Sequence, residues 1–154
     1  MKTLSNILLI EDFQDIRNWL SGLLRETFCV TKITEAATVA QAYSHLALQK
    51  FELIVVDLNL PDGAGVDILR RIKSLGLTAH CVVATTYDDD VHLLTALAAG
   101  ADGYLLKDQP GEQLMRDLSG ILDGSHVGAI YSKLDISSRA EATIEALRRG
   151  LIST

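Results

Sequence analysis

The sequence has little cysteine, little positive charge and no long apolar runs. Its two cysteines, Cys29 and Cys81, lie in apolar, strand-like surroundings, which favours buried, reduced thiols in a cytoplasmic protein. No apolar run approaches the roughly 20 residues of a membrane-spanning helix. The segment Met1-Lys2-Thr3 leads into a strand of ordinary length rather than into a signal peptide. We therefore expect a cytoplasmic location and no membrane partner.

Positive charge and metal-binding histidines are equally scarce. The net charge of −6 argues against nucleic acid as a default partner, because phosphate backbones attract basic surfaces. The four histidines show no ligand-like spacing with each other or with the cysteines, so we assign them no metal: His45, His80, His92 and His126.

What the chain does contain is enough material for one well-packed domain. A domain of this length buries roughly 70% of the surface that its unfolded chain exposes, and 48% of the residues are hydrophobic. Five short apolar runs alternate strictly with five segments of helical period. This pattern predicts an α/β fold over residues 1–124, a doubly wound five-stranded parallel sheet with helices on both faces. Residues 125–154 would form a short C-terminal helical extension.

Several residues mark where the predicted helices begin and end. Thr38 is the expected N-cap of the second helix, and Pro110 opens the fifth. The run Asp88-Asp89-Asp90 places negative charge at the start of the fourth helix, where the helix dipole favours it. Glycines are expected to stop three helices: Gly76, Gly100 and Gly124.

Four of the predicted strands end on polar residues of different chemical types. In an open parallel sheet the carboxyl ends of the strands share one edge, and ligands bind there. The strand ends carry an acid pair, a single acid, two hydroxyl groups and an ammonium group: Glu11 and Asp12, then Asp57, then Thr85 and Thr86, then Lys107. Such a set predicts a pocket for a divalent metal and a phosphoryl group.

The chemistry of this pocket follows from its charges. Three carboxylates at one edge would repel each other strongly unless a cation lies between them. Mg²⁺ suits the arrangement, since it takes few carboxylates, keeps several waters and accepts phosphate oxygens. Asp57, alone at the end of the central strand, is the predicted nucleophile, because a carboxylate can form an acyl phosphate. Lys107 would add positive charge beside the phosphoryl oxygens, and Thr85 would donate a hydrogen bond to one.

Each of these residues also has an ordinary explanation. A single acid after an apolar run is most often a solvated turn residue, a lone lysine is usually a surface residue, and a hydroxyl often ends a strand. The functional interpretation depends on coincidence: four different strand ends carry the matching groups, and the strand with the acid pair would neighbour the strand with the nucleophile.

Together these motifs resemble the receiver domain of two-component response regulators, over roughly residues 5–123, and the resemblance implies a flavodoxin-like sheet of strand order 2-1-3-4-5. The resemblance implies that Asp57 accepts phosphate from the phosphohistidine of a histidine kinase or from a phosphotransfer protein. The matching segments are Glu11-Asp12, Asp57-Leu58-Asn59-Leu60-Pro61-Asp62-Gly63, Thr85-Thr86 and Gly100-Ala101-Asp102-Gly103-Tyr104-Leu105-Leu106-Lys107.

The same resemblance implies roles for the remaining residues of the pocket. Mg²⁺ would be held by Glu11, Asp12, Asp57 and the backbone carbonyl of Asn59. Thr85 and Tyr104 would form a switch pair, in which Thr85 moves toward the phosphoryl group and Tyr104 swings inward behind it. The alternative for the tyrosine is a half-buried aromatic that packs in one rotamer.

Three positions depart from the commonest receiver pattern, and one of them is Asp108, which follows Lys107 where many relatives have a proline. Glu11 replaces the more usual first aspartate, which keeps the charge and lengthens the arm. Thr86 stands where a small residue, usually alanine, gives access to the phosphoryl group, so it is expected to modulate the rate of phosphotransfer. Tyr87 is expected to shield the acyl phosphate from water, which predicts slow autodephosphorylation.

Residues 125–154 resemble the end of a LuxR-type (NarL/FixJ) helix-turn-helix domain, and the pair Lys107-Asp108 is typical of receivers joined to such domains. The segment holds four basic and three acidic residues, so its balance is +1, and residues 1–124 carry −7 to give the total of −6. A recognition helix needs a supporting helix to enter the major groove. We therefore expect a truncated domain that does not bind DNA sequence-specifically.

An apolar stripe at helical spacing runs along this C-terminal segment. It is expected to pack either on a second protomer, giving a homodimer, or on the receiver domain of its own chain. The alternative is a frayed tail without a role. The stripe residues are Ile136, Ala140, Ile144, Leu147 and Leu151.

Three functions compete as explanations of these patterns. The leading one is a phosphorylation-dependent switch, not an enzyme, whose output is protein–protein contact and whose cofactor is Mg²⁺. The second is a DNA-binding transcriptional regulator that acts through a dimerised C-terminal tail. The third is a metal-dependent phosphatase with an aspartyl nucleophile. Such enzymes usually carry a second acid two residues after the nucleophile, where this chain has Asn59.

Overall fold

The apolar runs and helical segments fold as alternating strands and helices. The computed structural model of the chain describes residues 2–86, 90–123 and 148–150. The strands are β1 (Thr3–Ile10), β2 (Cys29–Ala36), β3 (Leu53–Val56), β4 (Asn59–Leu60), β5 (Gly63–Ala64), β6 (His80–Thr85) and β7 (Gly103–Leu106). The helices are α1 (Gln14–Thr27), α2 (Val39–Leu48), α3 (Gly65–Ser74), α4 (Asp90–Ala98) and α5 (Gly111–Leu122).

Five of these strands form one parallel sheet in the order β2-β1-β3-β6-β7. The predicted doubly wound sheet and its 2-1-3-4-5 order are therefore confirmed. Strand β3 is central, since it pairs with β1 on one side and with β6 on the other. Ile10 of β1 lies opposite Val56 of β3. The two strands consequently deliver their next residues, Glu11 and Asp57, to the same level of the sheet edge.

The hydrophobic core lies in two layers, one on each face of the sheet. Successive strand residues point to opposite faces: Ile7 and Leu9 of β1 pack with α1 and α5, whereas Leu8 and Ile10 pack with α2, α3 and α4. All four residues of β3 are buried. Burial on both faces explains why the central strands read as unbroken apolar runs in the sequence.

Most of the predicted helix ends are confirmed where the structure describes them. Thr38 caps α2, with its hydroxyl oxygen accepting a hydrogen bond from the Gln41 amide. Gly76 and Gly100 follow α3 and α4 with φ angles of 68° and 115°, which favour glycine. Pro110 immediately precedes α5. Within the described ranges, no helix has both the length and the apolar character needed to cross a bilayer.

Some expectations fall on residues that are not described. These are the predicted stop at Gly124, the acids Asp88 and Asp89 before α4, the modulating role of Tyr87, and the C-terminal helical extension apart from residues 148–150. They remain predictions.

The expectation that both cysteines are buried is wrong for Cys29. Cys81 is buried in β6, but Cys29 is exposed. Cys29 is the first residue of β2, which lies at the edge of the sheet and is largely exposed along its first half. Its sequence surroundings are apolar and strand-like, but an edge strand has a neighbour on one side only, so its first residue is left uncovered.

The loop after β3 is more ordered than its proline and glycines suggest. Strands β4 and β5 pair antiparallel in a small hairpin whose turn is Pro61-Asp62. The Asp62 carboxylate accepts hydrogen bonds from the amides of Val39 (2.7 Å) and Ala40 (3.0 Å) at the start of α2. Together with the bond from Gln41 to Thr38, these contacts satisfy three amides that a helix start leaves without intrahelical partners.

Gly22 allows a test of how α1 is stabilised. An added Cβ at Gly22 would meet no heavy atom within 4 Å. Gly22→Ala should raise the free energy of unfolding by about 0.5–1 kcal/mol, since alanine has the higher helix propensity and restricts the unfolded chain. Urea unfolding of the full chain measures the change. Gly76→Ala is the matched control, because its site is equally open but its φ is 68°; that variant should lose stability, and a gain in both would contradict the explanation.

Asp62 gives the stability of the protein a defined pH dependence. The two amide hydrogen bonds lower the pKa of the Asp62 carboxyl. A carboxyl whose pKa is lowered by folding stabilises the native state above its ordinary pKa of about 3.9, and this contribution is lost as the pH falls through the lowered value. Asp62→Asn should therefore lower the melting temperature by a few degrees at neutral pH, and the difference should shrink below about pH 3.9.

Thermal melts over a pH series measure this difference. Glu26→Gln is the control, because Glu26 is an exposed acid in the last turn of α1. It should change the melting temperature little at any pH. A loss that is as large in acid as at neutral pH would contradict the role of the Asp62 charge.

Candidate functional site

The backbone hydrogen bonds of the sheet continue one residue beyond the strands, to the residues that carry the functional side chains. The Glu11 amide donates to the Ala36 carbonyl (2.9 Å), the Asp57 amide to the Ile10 carbonyl (3.0 Å) and the Lys107 amide to the Thr85 carbonyl (2.8 Å). Each of these residues lies one position beyond a strand. Their backbones are therefore held by the neighbouring strand, although their side chains stand at the open edge.

Three carboxylates meet at this edge. One carboxylate oxygen from each of Glu11, Asp12 and Asp57 lies within 4.8 Å of the others. Glu11 and Asp57 are buried, and Asp12 is half-buried. Among the described residues, the buried oxygens Glu11 Oε2 and Asp12 Oδ1 have no hydrogen-bond partner. Such oxygens are costly to bury without a donor or a cation nearby.

Lys107 partly compensates the negative charge. Its ammonium Nζ lies 2.7 Å from Glu11 Oε1 and 3.4 Å from Asp57 Oδ2, and its side chain is only 9% exposed. The lysine therefore contacts two of the three acids at once. Because it occupies one oxygen of Glu11, the other oxygen of that carboxylate remains available to a further ligand.

Burial and the crowding of these acids raise the pKa of two of them, Glu11 and Asp12. Burial is the main cause that raises the pKa of the Glu11 carboxyl, and the Asp57 carboxylate raises it further while Lys107 opposes the shift. Burial also raises the pKa of Asp12, to which the Glu11 carboxylate adds. Both shifts express the same physical fact, since bringing acids together out of water disfavours their charged forms.

The residues present fit a divalent cation that prefers oxygen ligands. Mg²⁺ is bound in proteins through one or two carboxylates together with waters and phosphate oxygens. The pocket offers carboxylate oxygens from three residues. Two of these oxygens, Glu11 Oε2 and Asp12 Oδ1, are buried without a donor among the described residues. A cation there would supply the positive charge that Lys107 alone does not provide for three acids.

The other predicted site residues lie around this cluster. Thr85 ends β6 and is 1% exposed, while Thr86 beside it is exposed. Tyr104 is 7% exposed and belongs to the core layer beneath α2, α3 and α4. The tyrosine ring is thus inward in this structure. The Asn59 amide lies 3.4 Å from Asp57 Oδ1, and the Asn59 side chain is exposed.

Two contributors to the site are absent from the sequence-based predictions. A Cβ at Gly65 would lie 2.1 Å from the Asp57 carbonyl oxygen, so only glycine lets the start of α3 approach the end of β3. In the sequence this glycine appears only as loop punctuation. Arg17, in the first turn of α1, contacts the backbone of Glu11. Its distance of six residues from Glu11 gives no motif that could reveal the contact.

The chain combines a doubly wound sheet with an acidic cluster and a lysine at its carboxyl edge, and the comparison with known families identifies the class of domain. Residues 7–119 match the response regulator receiver domain. The chain therefore belongs to the response regulator receiver domain family of two-component systems.

The curated relatives that the chain matches are longer proteins than this chain. The chain is 33% identical, over 144 residues, to the DNA-binding transcriptional activator DevR/DosR of Mycobacterium tuberculosis, covering 94% of this chain and 63% of that protein. It is 32% identical to the nitrate/nitrite response regulator protein NarL of Escherichia coli, covering 74% of this chain and 53% of that protein. The chain thus spans less than two thirds of the length of either relative.

A solved structure matches nearly the whole chain in fold. The crystal structure of a two-component response regulator of the LuxR family from Aurantimonas sp. SI85-9A1 superposes with a TM-score of 0.73 at 24% identity. The match covers 94% of this chain and 97% of that one. At this identity the likeness shows the fold alone.

Proposed function

We propose that the protein is a phosphorylation-dependent switch in which Asp57 accepts a phosphoryl group from the phosphohistidine of a histidine kinase or of a phosphotransfer protein. One observation carries the proposal: the end of the central strand brings Asp57 together with two further acids and Lys107. In the transfer, an Asp57 carboxylate oxygen bonds to phosphorus as the bond between phosphorus and the histidine nitrogen breaks.

The residues around Asp57 divide the remaining work. Glu11, Asp12, Asp57 and the Asn59 carbonyl would hold Mg²⁺, which would neutralise charge on the phosphoryl oxygens when bound. Lys107 already lies 3.4 Å from Asp57 Oδ2, so it needs little movement to pair with a phosphoryl oxygen. Glu11 also holds that ammonium in place, at 2.7 Å.

Thr85 and Tyr104 would transmit the change to the surface. The Thr85 hydroxyl would donate to a phosphoryl oxygen, and the inward position of the Tyr104 ring supports a coupled movement behind it. Thr86, exposed beside Thr85, would modulate access to the phosphoryl group. Tyr87, outside the described residues, would shield the acyl phosphate from water.

The reaction would be self-limited. Asp57 is modified once, and hydrolysis of the acyl phosphate restores it, so the protein acts as a switch rather than as an enzyme that turns over a substrate. Asn59, two residues after Asp57, cannot serve as the general acid that an aspartyl phosphatase uses there.

Substitution of Asp57 tests the proposal directly. The native chain should gain one phosphoryl group from acetyl phosphate, and only when Mg²⁺ is present, whereas Asp57→Asn should gain none, because an amide is not a nucleophile for phosphorus. Intact-mass spectrometry measures the modification. Asp67→Asn is the control, since Asp67 is an exposed acid on α3. Equal labelling of the Asp57 variant would sink the proposal.

The proposed output is a change in protein–protein contact, with dimerisation through the apolar stripe of residues 136–151. A second candidate is DNA binding, which the name of the DevR/DosR relative suggests. The charge of −7 on residues 1–124 and of only +1 on residues 125–154 argues for protein contact, since affinity for DNA comes largely from contacts of Lys and Arg with phosphate.

Light scattering separates these outputs. With beryllofluoride and Mg²⁺, the native chain should change its molar mass, while Asp57→Ala should not. Ile144→Asp, which places a charge in the apolar stripe, should remain labelled by acetyl phosphate but lose the change in mass. A salt-dependent gel shift of a DNA duplex by the native chain, with or without a change in its mass, would favour the DNA-binding candidate.

A further inference from the structure

Arg17 joins the acidic pocket to the edge of the sheet. It lies in the first turn of α1, where its amide donates to the Phe13 carbonyl. Its guanidinium turns back toward the strand that precedes the helix. Nη1 donates to the Glu11 carbonyl oxygen at 2.8 Å, and Nε pairs with Glu35 Oε1 on β2 at 2.9 Å. The Arg17 side chain is 17% exposed and the Glu35 side chain 42% exposed, so water reaches this pair from the side of the glutamate.

The contact with the Glu11 carbonyl fixes the backbone that carries two of the acids. The Glu11 amide is already bonded to the Ala36 carbonyl of the neighbouring strand. With its carbonyl held by Arg17, both polar groups of the Glu11 backbone are held. Because the peptide bond is planar, the same contact also orients the Asp12 amide. The Cα–Cβ direction of Glu11 and the position of the Asp12 Cα are therefore set before any cation binds.

This restraint opposes the tendency of the acids to separate. Glu11, Asp12 and Asp57 place like charges within 4.8 Å, and Asp12 begins the loop that leads into α1. A loop can relieve repulsion by rotating its peptide planes. Arg17, which belongs to the helix that follows this loop, opposes rotation of the Glu11-Asp12 peptide plane. Glu35 pairs with the guanidinium and so helps to orient it.

We propose that Arg17 is a positioning residue for the metal site: it holds the Glu11-Asp12 peptide so that both carboxylates face Asp57 when Mg²⁺ arrives. The inference rests on the proposed function, since it assigns a role in the binding of that cation. Arg17 touches no reacting atom. Its effect is on how far the cluster is organised in advance, and groups that orient metal ligands typically change metal affinity by about 10–100-fold.

The charge of Arg17 complicates a single substitution. Removal of one guanidinium would make the pocket more negative and so favour a cation, which opposes the loss of positioning. Arg17 and Glu35 form a neutral pair, however. The double variant Arg17→Gln with Glu35→Gln removes both charges together. It leaves the net charge unchanged and so isolates the geometric contribution.

The experiment measures Mg²⁺ binding to the full chain by isothermal titration calorimetry. The double variant should bind Mg²⁺ about 10-fold or more weakly than the native chain. Glu35→Gln alone keeps the bond from Arg17 to the Glu11 carbonyl, so it should stay within about 3-fold of the native affinity, a margin that allows for the lost negative charge. Arg17→Lys keeps the charge but lacks the planar fork that makes both contacts. Its affinity for Mg²⁺ should therefore lie between those of the double variant and of Glu35→Gln.

A second measurement separates positioning from a general loss of structure. In labelling by acetyl phosphate, the double variant should need more Mg²⁺ for its half-maximal rate, by the same factor as its loss of affinity. At saturating Mg²⁺ its rate should equal the native rate. If the double variant does not fold, as judged by circular dichroism, Arg17→Lys carries the same two measurements.

The outcomes are distinct. Native affinity for Mg²⁺ in both the double variant and Arg17→Lys would overturn the role of Arg17 and leave the proposed function standing. A lower rate at saturating Mg²⁺ with unchanged affinity would also overturn it. If the native chain itself binds no Mg²⁺, the proposed metal site fails, and the inference about Arg17 fails with it.

Discussion

Three carboxylates that converge at the edge of a parallel sheet set the conditions for the rest of this structure. Two unit charges about 4 Å apart repel by about 4 kcal/mol at the effective dielectric constant near a protein surface. The cluster of Glu11, Asp12 and Asp57 contains three such pairs within 4.8 Å. The fold tolerates this repulsion because Lys107 contacts two of the acids and because backbone hydrogen bonds hold the strand ends.

The core supplies the rigidity that this arrangement needs. Every residue of β3 is buried, and the strand is paired on both sides, so Asp57 projects from one of the best-supported positions in the sheet. Gly65 brings the start of α3 against the Asp57 carbonyl, which restricts the backbone from the other direction. The backbone of the residue expected to react is thus held from both sides.

The architecture and the cluster follow from patterns that local sequence can carry. Runs such as Leu53 to Val56 are apolar at every position because both sheet faces are covered, and the carboxyl ends of parallel strands share an edge whatever the details of packing. Those two regularities suffice to predict a parallel sheet and the meeting of Glu11, Asp12, Asp57 and Lys107 at one edge, whereas the order of the strands comes from the receiver resemblance. The receiver resemblance adds a family, which the match over residues 7–119 confirms.

What local sequence does not carry is contact between distant segments. The bonds from Val39 and Ala40 to Asp62 join residues more than twenty positions apart, and the contact of Arg17 with the Glu11 carbonyl depends on where a helix returns to a strand. The prediction that Cys29 is buried is wrong for a related reason. Cys29 has strand-like neighbours in sequence, but its strand lies at the edge of the sheet, and strand order decides that.

The carboxylate at the start of α2 has a mechanical consequence. Because Asp62 belongs to the hairpin that directly follows the acceptor strand, this hairpin cannot be displaced without withdrawing two acceptors from the Val39 and Ala40 amides. A rearrangement around Asp57 that pulls on β4 and β5 would therefore loosen the first turn of α2, on the face of the sheet shared with α3 and α4. One side chain thus ties the geometry of the pocket to the fraying of a helix whose own residues never enter it.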